Sequence, residues 1–260
     1  MIEEKILSIH GNSIYVKHWF PQTLMHCAPV ILIHDSLGCV DLWRKFPAEL
    51  AVALHRPVIA YDRAGYGRSS ELDALPFGNF ILDEANLIIP ALRSALGITD
   101  YFLFGHSVGG SIALHGAGLD KEHCLGVICE SAQAFLEQKT IDAIELAKQE
   151  FADPSQFARL VRWHGKKAQW VLDAWTDVWL EPSKSDWKLS DSLPAIHCPA
   201  LILHGDRDEF GSNAFPESIA KWAGAQSEIV MFANCGHVPH REYPSLVLES
   251  VTTFINRIDG

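Results

Sequence analysis

Thr99-Asp-Tyr-Phe-Leu-Phe-Gly105-His106-Ser107-Val108-Gly109-Gly-Ser-Ile112 is the stretch on which the fold turns. An apolar run leads into Gly-His-Ser-Val-Gly, and small residues suited to starting a helix follow. This puts Ser107 on a sharp strand-to-helix turn that pushes its hydroxyl out of the backbone and into a cleft. A side chain at Gly105 or Gly109 would collide with a neighbouring strand or helix in so tight a turn. Ser107 is therefore the candidate nucleophile. An ordinary glycine-rich turn has the same appearance, so the rest of the chain must decide.

A serine needs a base to take its proton and an acid to hold that base in the right tautomer. Both stand downstream, in order. Pro199-Ala-Leu-Ile-Leu-His-Gly205 reads as a buried parallel strand ending in a turn, with Asp206-Arg207-Asp208 at its carboxyl end. Glu228-Ile-Val-Met-Phe232 gives another short strand, and Asn234-Cys-Gly-His237-Val-Pro239 is a loop that delivers a histidine. Two further turns follow strands upstream: Asp35-Ser36-Leu37-Gly38 after Pro29–His34, and Asp62-Arg-Ala-Gly-Tyr-Gly-Arg-Ser69. Serine, aspartate and histidine in that order, each just beyond a strand, resemble the α/β-hydrolases over essentially the whole chain.

The resemblance implies an α/β-hydrolase fold: a mostly parallel eight-stranded sheet, helices on both faces, and a helical cap inserted after strand 6. It implies Ser107 as nucleophile, His237 as base and Asp208 as acid, since the family's acid generally lies three residues after the strand-ending glycine. Asp206 is an alternative, and so is Glu130 at the end of the sixth strand, whose other reading is a polar hinge. The backbone N–H groups of Ser36 and Val108 are the implied oxyanion hole. Asp35 stands where the family usually has glycine; it adds a carboxylate and is expected to hydrogen-bond its own turn. A serine at 107 argues against the epoxide hydrolases and haloalkane dehalogenases of the same fold, which use an aspartate there.

At 260 residues the chain suits one large core, and strands alternating with helical stretches argue for a parallel sheet wrapped on both faces. Lys5–Ile9 and Ser13–Phe20, joined by Gly11-Asn12, read as an antiparallel hairpin at one edge. Helices are expected over 42–54, 80–96, 108–116, 213–223 and 244–257. Leu125–Cys129 reads as the sixth strand, and the stretch before the seventh is far longer than a crossover needs. The expected division is a core of residues 1–130 and 196–260 with a cap at 131–195, helical over 138–151, 154–164 and 167–180. That cap holds Trp163, Trp170, Trp175, Trp179 and Trp187, five of the chain's eight tryptophans. Helical spacing such as Trp175 and Trp179 usually means packing, so one or two are expected to face substrate; His106, Trp163, Trp175 and Trp179 are the candidate substrate-binding residues.

The net charge of −11 disfavours nucleic acid and anionic membrane surfaces as partners. Six cysteines without C-x-x-C spacing, an acidic start and no apolar run of membrane-spanning length lead to the expectation of a reduced, cytoplasmic protein. His34, His106 and His204 fall at strand ends but lack an H-E-x-x-H pair, and the expected chemistry needs no metal or organic cofactor. Arg63, Arg162 and Arg241 are read as solvated. The expected activity is hydrolysis of a small-molecule carboxylic ester or lactone with an apolar acyl group, through an acyl-enzyme. The cap sequence resembles a bacterial branch of capped hydrolases related to valacyclovir-hydrolase-like and 3-oxoadipate enol-lactonase-like enzymes, and N-acyl homoserine lactones are one candidate substrate. A carbon-carbon bond hydrolase of meta-cleavage products and a non-catalytic ligand receptor are the alternatives.

Overall fold

The computed structural model describes residues 1–22, 27–224 and 226–260. Eight strands run in the order β1-β2-β4-β3-β5-β6-β7-β8, where β1 is Ile2–Ile9, β2 Asn12–Trp19, β3 Val30–Ile33, β4 Val58–Tyr61, β5 Tyr101–His106, β6 Cys124–Glu130, β7 Ala200–Gly205 and β8 Ser227–Phe232. The β1–β2 and β2–β4 pairings are antiparallel and all others parallel. The expected α/β-hydrolase sheet is thus observed.

The helices are α1 (Phe46–Leu54), α2 (Phe80–Asp83), α3 (Ile89–Leu96), α4 (Val108–Leu119), α5 (Gln138–Glu150), α6 (Pro154–His164), α7 (Ala168–Trp179), α8 (Ala214–Ala223), α9 (Pro239–Glu242) and α10 (Pro244–Asp259). Central strands β3, β4, β5 and β7 are buried along their whole length, which is why they read as unbroken apolar runs. Alternate residues feed two cores. Phe102, Phe104, Leu201 and Leu203 pack with Phe46 and Leu50 of α1 and Val251 and Phe254 of α10. Tyr101, Leu103, Ala200 and Ile202 face Ile112 and Leu114 of α4 and Phe215 and Ile219 of α8.

Three local differences from the sequence reading have physical causes. The hairpin turns on His10-Gly11, both at positive φ (48° and 81°), with Ile9 paired to Asn12. This is the two-residue geometry in which glycine tolerates the left-handed region, and Asn12 already belongs to β2. The stretch 80–96 is broken by one wide π turn at Glu84–Ile88, where Pro90 cannot donate to the carbonyl four residues back. The region 42–54 is a 3₁₀ turn at Val40–Trp43 followed by α1, which begins beside Pro47.

Between β6 and β7 the chain leaves the sheet through α5, α6 and α7 and settles over the carboxyl ends of the strands. Lys139 Nζ donates to the Asp208 and Gly211 carbonyls (2.5 and 3.2 Å), Thr140 Oγ1 donates to the Phe210 carbonyl (2.6 Å), and Glu137 accepts from Ser212 N (2.7 Å). At its other side His164 accepts from Gly67 N (3.0 Å) on Nδ1 and donates from Nε2 to the Leu37 carbonyl (3.0 Å). Lys167 Nζ donates to the carbonyls of Tyr66 and Ser69. Among the described residues no helix is long and apolar enough to cross a membrane.

Candidate active site

Ser107 occupies the junction of β5 and α4 with φ 55° and ψ −124°, a conformation that L-residues adopt at a cost of order 1–3 kcal/mol and keep only where surroundings enforce it. The enforcement is steric. A Cβ on Gly105 would lie 1.9 Å from the Gly109 carbonyl oxygen, and one on Gly109 would lie 2.2 Å from that of Ile33. The two glycines let the turn close against β3, and the Ser107 N–H is held by the Glu130 carbonyl at 2.8 Å.

Asp208 and His237 come together from the ends of β7 and β8. Both Asp208 carboxylate oxygens lie 2.9 Å from His237 Nδ1, and Phe210 N donates to Oδ1 at 2.8 Å. Burial opposes ionisation of Asp208, which is 1% exposed, but the His237 charge and hydrogen bond, His204 and the Phe210 N–H outweigh it and hold the carboxyl below the usual range. The His237 loop is clamped by backbone donation to carboxylates: His237 N to Glu209 (3.2 Å), Gly236 N and Val238 N to Glu242 (2.9 and 3.3 Å). Asp206 is exposed and accepts from Cys235 N (3.3 Å); it does not reach the histidine ring.

Ser107, His237 and Ser36 line one cavity of about 190 Å³, closed by Trp175 and Trp179 of α7, Ile144 of α5 and Phe210. Among the described residues no lysine or arginine lines it, whereas Asp35 and Glu209 do. The backbone N–H groups of Ser36 and Val108, the latter at the first position of α4, donate to no backbone acceptor among the described residues.

Several expectations are corrected. Trp163 lies outside the cavity, its ring against the guanidinium groups of Arg44 (4.6 Å) and Arg162 (5.0 Å). His106 lies beneath the cavity and does not line it; Nε2 donates to the His237 carbonyl oxygen at 2.9 Å. Asp35 does not bond its own turn with its carboxylate, which faces His106 Nδ1 at 3.3 Å. Glu130 is no hinge: fully buried, it accepts from His240 N (2.7 Å) and His240 Nδ1 (2.5 Å). Arg63 is buried as well, donating to the Asp35 carbonyl (2.9 Å) and lying over Tyr66. Its N–H donates to His34 Nε2 (3.1 Å), which leaves the His34 proton on Nδ1, 2.8 Å from the Asp35 carbonyl. Among the described residues His34, His106 and His204 do not gather into one ligand group. The group that actually gathers is His106, Glu130 and His240, with ligand atoms within 4.8 Å, and hydrogen bonds already occupy both Glu130 oxygens and His240 Nδ1. Glu209 and Glu242 were not singled out, and their only sequence signal is closeness to Asp208 and His237.

A helix-flanked parallel sheet with a serine on a left-handed turn and a paired histidine and aspartate beyond later strands defines the α/β-hydrolase class. Residues 30–250 match the profile of the alpha/beta hydrolase family, and the chain belongs to that family. The dihydrolipoyllysine-residue acetyltransferase component of the acetoin cleaving system of Pseudomonas putida is 28% identical, over 92% of this chain and 66% of its own length. The AB hydrolase superfamily protein YisY of Bacillus subtilis is 29% identical over 91% of this chain and 95% of its own. The chain thus spans just under two thirds of the first relative and nearly all of the second. Among solved structures, a bacterial membrane phospholipase A superposes with a TM-score of 0.80 over the whole of this chain and 87% of its own, at 20% identity, a likeness of fold.

Proposed function

We propose that the protein is a serine hydrolase of a small carboxylic ester or lactone with an uncharged, apolar acyl group. The observation that carries this reading is His237, paired with the buried Asp208, lining the same cavity as a serine held at φ 55°. Ser107 Oγ attacks the carbonyl carbon and its proton passes to His237 Nε2. The oxygen's negative charge is taken by the N–H groups of Ser36 and Val108, and His237 returns the proton to the departing alkoxide. Water then cleaves the acyl-enzyme by the same route. Asp208 holds the Nδ1 proton, leaving Nε2 free to accept.

Residues 131–195 act as a cap. Trp175, Trp179 and Ile144 supply the apolar wall, and a volume of about 190 Å³, below the roughly 300–1,000 Å³ of drug-sized sites, favours short acyl chains. Short-chain N-acyl homoserine lactones meet this description, as do simple short esters, in keeping with the esterase and lactonase branch that the cap sequence resembles. A meta-cleavage dienoate meets it less well, because its carboxylate would enter a cavity bearing Asp35 and Glu209 and, among the described residues, no lysine or arginine. Turnover of p-nitrophenyl esters from acetate to dodecanoate beside N-acyl homoserine lactones, with wild type and Ser107→Ala, tests the reading. Serine-dependent hydrolysis of the short members is expected. No turnover by folded wild type refutes it in favour of a carbon-carbon hydrolase or a ligand receptor.

A further inference from the structure

His106 adjoins the proposed nucleophile and is buried with both ring nitrogens against acceptors. Nε2 lies 2.9 Å from the His237 carbonyl oxygen, an atom that can only accept, and Nδ1 lies 3.3 Å from Asp35 Oδ2. Burial opposes ionisation of Asp35, but the hydrogen bond and charge of His106, then His34 and Arg241, override it, so this oxygen too is an acceptor. A neutral imidazole has a single N–H, so beside an ionised Asp35 only the imidazolium donates to both acceptors.

We infer that Asp35, in the cavity wall, and the buried His106 form an ion pair that positions the reacting groups: one imidazolium ties the turn carrying Ser36, the turn carrying Ser107 and the backbone of His237. The inference rests on the hydrolase reading above. It also accounts for the one place where the sequence departs from the family pattern it resembles, since glycine at 35 would leave His106 Nδ1 without this partner.

The groups that face His106 come from five parts of the fold. Asp35 follows β3, Glu130 ends β6, and the His237 and His240 rings lie 5.0 and 5.2 Å away. Trp43, at 6.4 Å, brings no charge. Burial opposes ionisation of Glu130, but the hydrogen bonds from His240 N and Nδ1 and the neighbouring His106 hold its carboxyl below the usual range. Burial keeps His240 neutral, against the pull of Glu130. Burial likewise disfavours the His106 cation, and the two carboxylates outweigh it, so its pKa lies above the ordinary histidine value. Because the folded pKa is raised, the pair is complete at lower pH and comes apart as pH rises through that value. The proposed triad alone has no reason to lose activity there, so an alkaline fall in kcat is the signature of the pair.

The test combines two readouts on wild type, Asp35→Asn and His106→Gln. Nitrogen NMR of imidazole-labelled protein follows His106 directly, while kcat and KM for p-nitrophenyl butyrate are measured between about pH 5 and pH 9, the span in which histidines titrate. In wild type, His106 is expected to hold protons on both nitrogens at neutral pH and to lose one above the ordinary histidine range, with kcat falling along the same curve. Asp35→Asn is expected to move both the titration and the fall to lower pH. His106→Gln is expected to remove the fall and lower kcat by up to about 100-fold, the scale of a small misplacement of reacting groups, with KM little changed. A neutral His106 in wild type at pH 7 overturns the inference even if neither variant folds. Variants that keep the wild-type kcat and its pH profile overturn it too. If His106 titrates as stated with Asp35 while wild type hydrolyses no ester, the ion pair stands and the hydrolase reading falls.

Discussion

Replacing Asp208 with asparagine changes one oxygen to an amide and almost nothing in shape. The Phe210 N–H, fixed in the backbone 2.8 Å from Oδ1, will keep the asparagine oxygen on its side. The NH₂ group is then left against His237 Nδ1, where Oδ2 stood at 2.9 Å. An amide N–H can only donate, so where it faces Nδ1 the imidazole turns its lone pair there and carries its proton on Nε2, the nitrogen that has to accept from Ser107; the productive tautomer is left with only the one oxygen that the Phe210 N–H already engages. Wrong-tautomer variants of this kind lose about 10⁴ in kcat, close to 5.4 kcal/mol of transition-state stabilisation. Glu130→Gln is the matched control: also an isosteric neutralisation of a buried carboxylate, but one whose partner is His240. Initial rates with a p-nitrophenyl ester, normalised by active-site titration, compare the three proteins. Asp208→Asn retaining more than about a tenth of wild-type kcat, a loss of less than 1.4 kcal/mol, refutes the assignment, as does an equal loss in Glu130→Gln.

Other expectations follow from particular contacts. Trp175→Ala opens the cavity wall and should shift the preferred ester toward longer acyl chains, while Trp163→Ala, against two arginines outside the cavity, should leave the chain-length profile unchanged; a shift in both variants, or in neither, sinks the placement. His164→Ala removes two hydrogen bonds worth about 1 kcal/mol each, so faster amide exchange across residues 154–180 and a stability loss of about 2 kcal/mol are expected in hydrogen-exchange and urea titrations. The pH dependence of stability has two parts. Burial holds His34 and His164 neutral, with folded pKa values below the unfolded value near 6.5; their contribution is full above about pH 6.5 and is lost as pH falls below it. Asp208 and Glu130 are depressed carboxyls whose contribution is full above about pH 4 and disappears in stronger acid. A melting temperature that stays flat from pH 7 down to pH 3 contradicts both.

The sheet was legible because its central strands are buried on both faces and therefore spell uninterrupted apolar runs, those of β3, β5 and β7 closed by glycine or histidine. The Ser107 turn was legible because only glycine fits at 105 and 109. What the sequence hid are partners distant in the chain. Nothing near Glu130 announces His240, 110 residues on, and nothing near Arg63 reveals that Asp35 and Tyr66 enclose it. Charged side chains are read as solvated by default, and that default fails where a second charge or a carbonyl waits in the folded state. Trp163 fails in the opposite direction. Its place in the cap grouped it with the other tryptophans, but its ring meets two arginines, and position in a segment carries no information about which neighbour a face will meet.

The way α5, α6 and α7 are fastened has a consequence for how such molecules diversify. Lys139, Thr140, His164 and Lys167 grip the carbonyls of Leu37, Tyr66, Ser69, Asp208, Phe210 and Gly211 and the N–H of Gly67. Every one of those receiving atoms belongs to the main chain, which every sequence supplies whatever residue stands there. These four attachments of the helical segment are therefore indifferent to the side chains they meet, unlike the Glu137–Ser212 and Lys166–Glu71 ties beside them. Recombination between relatives can bring in a new pocket wall without redesigning the strand ends beneath it, and substrate range can drift while the bond-breaking machinery is inherited intact.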